Sequence, residues 1–143
     1  MFMGEYSHTI DAKGRLIIPA KFRDELGEDF VLTKGLDGCL SILPNNEWKD
    51  FEEKLKLYRL MIKMQGPSYV FLFPVQHNVN WTSRGEFSYR LRCGRFAGLS
   101  KDVVLTGNLT RIEIWSKEKW MENSNCEDMD AIAEGMQSMG ILI

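Results

Sequence analysis

Polar and apolar side chains alternate from Tyr6 to Ile10, with Tyr6, His8 and Ile10 on one side and Ser7 and Thr9 on the other. A period of two is that of a half-buried strand. Asp11 and Gly14 then bracket a turn, because aspartate bonds its own backbone and glycine tolerates positive φ. Leu16-Ile17-Ile18 reads as a second strand, which Pro19 stops. Ala20-Lys-Phe-Arg-Asp-Glu-Leu26 follows as a short helix closed by Gly27. The pattern predicts strand, tight turn, strand and helix in direct succession.

The remainder carries an internal repeat. Asp29-Phe-Val-Leu-Thr33 recurs as Asp102-Val-Val-Leu-Thr106, 73 residues later. After a one-residue deletion, Leu40-Ser-Ile-Leu43 aligns with Ile112-Glu-Ile-Trp115, and Trp48 with Trp120. Each copy predicts a strand, a turn, a strand and an amphipathic helix. In the first helix Asn46 is the expected N-cap, and Trp48, Phe51 and Leu55 fall at i, i+3 and i+7. In the second, Ser116 is the cap and Trp120 opens the apolar face, while Met129, Ile132 and Met136 predict a helical close to the chain. Trp48 and Trp120 suit base stacking in principle, but their helical spacing favours packing in a core.

Composition narrows the function classes. The 143 residues are 44% hydrophobic, enough for one domain or two small halves, and the net charge of −2 does not announce a nucleic-acid binder. Charge is nevertheless concentrated: Lys13, Arg15, Lys21 and Arg23 place four cations in eleven residues that contain no acid. A basic hairpin on a rigid frame suits a phosphate backbone or a groove edge, and equally suits an ordinary solvated turn. Cys39, Cys93 and Cys126 are odd in number and lack metal-ligand spacing, as expected of reduced thiols in a cytosolic protein. No targeting or lipidation signal is evident, and the apolar run Tyr69-Val-Phe-Leu-Phe-Pro-Val75 is far too short to span a bilayer.

The order of residues goes further than the charges. Asp11-Ala-Lys-Gly-Arg-Leu-Ile-Ile-Pro-Ala-Lys-Phe-Arg23 resembles the signature of the MraZ family, bacterial transcription regulators related to AbrB-type swapped-hairpin DNA-binding proteins. The resemblance includes Met1-Phe-Met-Gly4 and Phe30-Val-Leu-Thr-Lys-Gly-Leu-Asp-Gly-Cys-Leu40. It returns at Phe96-Ala-Gly-Leu-Ser-Lys-Asp-Val-Val-Leu-Thr-Gly107 and Arg111-Ile-Glu-Ile-Trp-Ser116, so that residues 1–57 and 96–143 are covered. It implies an α+β fold, mainly β, of two tandem swapped-hairpin β-barrel repeats with flanking helices. It also implies a homo-oligomeric ring, cytoplasmic and nucleoid-associated, binding double-stranded DNA at repeated boxes upstream of the cell-division and cell-wall gene cluster. On that reading Lys13 and Arg15 approach the groove and Arg15 suits a bidentate guanine contact. Lys21 and Arg23 hold phosphates or pair with acids, while Asp11 and Gly14 fix the turn. No cofactor, metal, membrane or small-molecule partner is implied.

Residues 58–95 fit neither half. They carry six basic residues against Glu86 alone, a balance of +5 that leaves −7 for the rest, and Gly66, Pro67 and Pro74 interrupt their apolar runs. The repeat demands a second basic hairpin here, and the residues do not spell one. Codons assembled from the last base of one codon and the first two of the next do. Asn80–Trp81 then gives leucine and Trp81–Thr82 gives aspartate, whatever the codon choice. The following junctions can give Lys, Gln, Gly, Arg, Ile, Leu, Ile and Pro. Upstream, Val75 to Trp81 can give Ala-Thr-Gln-Cys-Glu-Leu. The segment from about Leu57 to Gly94 therefore reads as out-of-frame translation, and the expected organisation is a first repeat over 1–57, an aberrant segment over 58–95 and the remainder of a disrupted second repeat over 96–143.

His8 is expected to be a strand residue and His77 has no partner pattern; no nucleophile–base pair, phosphate loop or carboxylate pair supports an enzyme. Glu127, Asp128, Asp130 and Glu134 read as the solvated face of the last helix. The competing function is an oligomerisation or protein-interaction module without DNA-binding activity.

Overall fold

The computed structural model describes residues 1–35, 38–62, 77–80, 86–88, 97–124 and 129–141. Among them are eight strands and four longer helices: β1 (Phe2–Thr9), β2 (Arg15–Ile17), α1 (Ala20–Leu26), β3 (Asp29–Lys34), β4 (Leu40–Pro44), α2 (Asn45–Ile62), β5 (His77–Asn80), β6 (Glu86–Ser88), β7 (Asp102–Leu109), β8 (Arg111–Ser116), α3 (Lys117–Ser124) and α4 (Met129–Ser138). Six strands form one antiparallel sheet in the order β1-β7-β8-β4-β3-β5, and β2 pairs separately with β6. The mixed α+β class agrees with expectation. The closed barrels do not: β1 and β5 lie at opposite edges of an open sheet, and among the described residues no ladder joins its two ends.

The period-two pattern of the repeated strands is answered on both faces of the sheet. Phe30, Leu32, Leu40, Ile42, Val103, Leu105, Ile112 and Ile114 share one core with Leu16, Ile18, Phe22 and Leu26 of the N-terminal hairpin and α1. The intervening residues point the other way and are roofed by the helices. Val31 and Leu43 pack with Trp48 and Phe51 of α2, while Cys39, Val104 and Trp115 pack with Trp120 of α3. Trp48 is only 8% exposed and Trp120 is half-buried against Trp115, so both indoles pack against the sheet, as their spacing favoured. The two copies meet at the centre of the sheet, where β4 lies antiparallel to β8 with Ser41 opposite Glu113.

The caps show what local signals determine. Ser116 Oγ accepts the Lys119 N–H at 3.2 Å, the expected N-cap of α3. Asn46 is not the cap of α2, because the helix already includes Asn45, directly after Pro44 at the end of β4. The closing helix α4 forms where Met129, Ile132 and Met136 placed it, yet it buries none of its residues.

Within residues 58–95, whose sequence does not spell a second basic hairpin, two short strands are described. β5 pairs with β3, with Asn80 opposite Asp29, and β6 pairs with β2, with Phe87 opposite Leu16. The tract 69–75, residues 81–85 and the acids Glu127 and Asp128 lie outside the described residues.

Candidate nucleic-acid interface

Strand β1, which leads into the cationic turn, owes its position to a partner strand a hundred residues away. β1 runs beside β7 along its whole length, from Phe2 opposite Leu109 to Thr9 opposite Asp102. Beyond the ladder, the Ile10 N–H donates to the Lys101 carbonyl at 2.8 Å. The chain then turns. The Asp11 N–H donates to the Arg15 carbonyl at 3.0 Å and the Gly14 N–H to the Asp11 carbonyl at 3.0 Å, with Gly14 at φ 74°. Only glycine takes that conformation without cost.

Asp11 is the centre of the turn. Its Oδ1 accepts the backbone N–H groups of Lys13 at 2.9 Å and Arg15 at 2.8 Å, and its Oδ2 accepts Nε–H of Arg15 at 2.8 Å. The Arg15 N–H, with burial opposing it only in part, holds the Asp11 carboxyl below its ordinary value of 3.8. The carboxylate therefore stays charged and fixes the first part of the Arg15 side chain against the turn. Lys13 is exposed at the tip, and Arg15 is half-buried.

The helix that follows is fastened to the hairpin by Phe22. This fully buried ring meets Phe2 and Tyr6 edge-on, with centroids 5.8 and 5.2 Å apart. Such edge-to-face pairs add about 0.5–1.5 kcal/mol each beyond burial. Lys21 and Arg23 flank that anchor: Lys21 is exposed, while Arg23 is half-buried and its Nε is buried with no hydrogen-bond partner. Thus the four expected cations occupy one strand–turn–strand–helix unit: Lys13 at its tip, Arg15 locked beside it, and Lys21 and Arg23 on the first turns of α1.

Two residues escaped the sequence reading. Lys101 is exposed and joins Ser100, Ile10, Asp11, Ala12 and Gly14 around an open concavity of about 500 Å³ beside the turn. Its approach depends on the docking of β1 on β7, so no local pattern could reveal it. Glu113 is the polar hub at the sheet centre: Oε1 accepts Asn108 Nδ2 at 2.8 Å and lies 3.6 Å from Arg111 Nε, and Oε2 accepts Trp115 Nε1 at 3.0 Å. Cys39 Sγ lies 3.7 Å from the same carboxylate; burial first, and then that negative charge, push the thiol up to about 12. Such a thiol is inert at neutral pH. His8 is a half-buried strand residue as expected, and His77 lies in β5. Among the described residues no group of three His, Cys, Asp or Glu could hold a metal, and no helix is long and apolar enough to cross a membrane.

Known proteins resemble this chain along its length. The family model described as "MraZ protein, putative antitoxin-like" matches residues 1–62. The Transcriptional regulator MraZ of Clostridium acetobutylicum is 47% identical over 142 residues, covering 99% of this chain and all of that protein. The protein of the same name from Lachnoclostridium phytofermentans is 49% identical over 142 residues, covering 99% of each chain. That of Thermoanaerobacter sp. is 46% identical over 143 residues. With this identity over whole chains, and with the Asp11–Arg23 unit inside the matched region, the chain belongs to the MraZ family of transcriptional regulators.

Proposed function

We propose that this regulator binds DNA sequence-specifically through the hairpin of Asp11 to Arg23, acting as a homo-oligomer on repeated promoter boxes upstream of the cell-division and cell-wall gene cluster. The observation that carries the reading is the Asp11 lock, which pre-orients Arg15 and leaves Lys13 at the tip. Orienting an arginine before binding lowers the entropy cost of a base contact. With Nε held by Asp11, Arg15 would approach guanine end-on through its two terminal nitrogens. Lys13, Lys21, Arg23 and Lys101 would follow phosphates, fixing register without reading sequence. Asp11 itself stays off the DNA, because phosphate repels a carboxylate.

One such hairpin supplies modest affinity, so several must act together. The exposed apolar residues of the C-terminal segment support assembly: Met129, Ile132 and Met139 are 65%, 40% and 79% exposed. They equally support the second reading, an interaction module without DNA activity, and the two differ in their response to salt. Fluorescence anisotropy of a duplex carrying the repeated boxes, against a shuffled duplex, separates them. Preferential binding that weakens steeply with salt supports the regulator reading, and salt-independent self-association with no preference supports the module.

A further inference from the structure

We propose that residues 58–94 are translated from a displaced reading frame, and that the gene specifies there a second cationic turn equivalent to that of Asp11 to Arg23. The strand registers supply an argument that uses no codon. β1 lies on β7 with Thr9 opposite Asp102, and β5 lies on β3 with Asn80 opposite Asp29. Asp29 and Asp102 open the two copies of the repeat, so Thr9 and Asn80 are counterparts, 71 positions apart. β2 and β6 pair antiparallel with Leu16 opposite Phe87, again 71 positions apart. The backbone thus assigns a single offset to both β5 and β6.

That offset carries Asp11 to Thr82, Gly14 to Gly85, Arg15 to Glu86 and Pro19 to Arg90. As translated, only the glycine is kept, and an acid stands where the arginine belongs. The displaced frame restores all four. Aspartate is forced at the Trp81–Thr82 junction, glycine is available at Arg84–Gly85, arginine at Gly85–Glu86 and proline at Tyr89–Arg90. Each falls on the offset that the strand registers set independently. Read onward with one consistent set of codons, the frame gives alanine at Arg90–Leu91, lysine at Leu91–Arg92 and arginine at Cys93–Gly94, the counterparts of Ala20, Lys21 and Arg23.

Two further observations agree. A one-base loss near codon 57 and a one-base gain near codon 94 leave the chain length unchanged, and the Clostridium acetobutylicum relative aligns over 142 residues and its whole length. The charge step also finds a cause, since five of its six cations and its one acid lie within residues 58–94 and need no functional reason if their codons belong to other residues.

The coding part of this proposal stands by itself; its consequence for affinity rests on the DNA-binding reading above. The gene's nucleotide sequence tests the first part. For the glycine, arginine and proline of the turn, the displaced frame requires AGG or CGG at Arg84, GGA or GGC at Gly85, TAC at Tyr89 and a codon beginning CG at Arg90. Other codons at these positions overturn it. The second test replaces residues 58–94 by the displaced-frame translation and compares both chains by thermal unfolding and DNA titration. The restored chain is expected to melt higher and to show a steeper salt dependence, by about 0.9 in log–log slope for each added phosphate contact. A restored chain that melts at or below the temperature of the chain as given counts against the proposal. Required codons with no DNA binding by either chain would sink the DNA-binding reading and leave the frame assignment standing.

Discussion

The carboxylate of Asp11 accepts Nε–H of Arg15 at 2.8 Å while its other oxygen gathers the Arg15 N–H at 2.8 Å, so one side chain shapes the turn and aims the arginine that the turn presents. Asp11→Asn keeps an acceptor and removes the charge. DNA affinity should fall, by less than on removing Arg15, and circular dichroism should be unchanged. The pH dependence has a definite sign. A carboxyl held below 3.8 in the folded chain contributes its full stability above that value and loses it as pH falls further. Melting temperatures of the two proteins should therefore differ at pH 6 and converge toward pH 3.

Gly107 faces Gly4 across the β1–β7 ladder, and a Cβ added at Gly107 would overlap the backbone of Phe2 and Met3. Gly107→Ala should cost about 1–3 kcal/mol, because backbone has no rotamer with which to yield. Gly14→Ala meets no atom within 4 Å yet holds φ 74°, so it should cost about 1–2 kcal/mol through backbone strain alone. Urea unfolding measures both, and only Gly107→Ala should loosen β1, seen as faster amide exchange in Tyr6 and His8.

Phe22→Ala tests how α1 is held to the hairpin. The ring is fully buried between Phe2 and Tyr6, so its loss should cost about 3–5 kcal/mol. Phe22→Leu should recover most of that stability. DNA affinity in the leucine variant should fall moderately, because Lys21 and Arg23 lose a fixed mounting.

The thiol of Cys39 should be silent while the protein is folded. In a Cys93→Ser, Cys126→Ser background, maleimide at pH 7 should label Cys39 only on unfolding, since the folded thiol is pushed up to about 12. The sign at alkaline pH follows from the same shift. Stability should decline once pH passes the ordinary thiol value of 9, as the unfolded chain gains by ionising and the folded one does not.

How far the sequence revealed this arrangement depends on the range of the interactions. The turn was legible because its determinants, Asp11, Gly14 and Arg15, lie within five residues and bond one another. The indole packing was legible because Trp48 and Phe51 sit one helical turn apart. Pairing of β1 with β7 was not legible, because a period of two marks a strand without naming its neighbour. The open sheet in place of barrels, the Lys101 approach to the turn and the Glu113 hub are consequences of such pairings. Asn46 misled for a local reason, since α2 starts at Asn45 straight after Pro44 and takes Asn46 into its first turn. Periodicity placed α4 correctly but could not show that its apolar face stays exposed.

The contact roles of the hairpin separate by substitution. Lys13→Ala, Lys21→Ala and Lys101→Ala should each weaken all duplexes alike and flatten the log affinity against log salt slope by about 0.9.

Arg15→Ala, titrated beside the unaltered protein against the repeated-box duplex and a shuffled duplex at several salt concentrations, bears most directly on whether this hairpin reads DNA. Fluorescence anisotropy should show a loss of about 1–3 kcal/mol on the box duplex, roughly 5- to 150-fold in affinity, with a much smaller loss on the shuffled one. Melting temperature should stay within a few degrees, since the side chain lies at the surface of the turn. Unchanged preference for the boxes after removal of Arg15 would contradict the account.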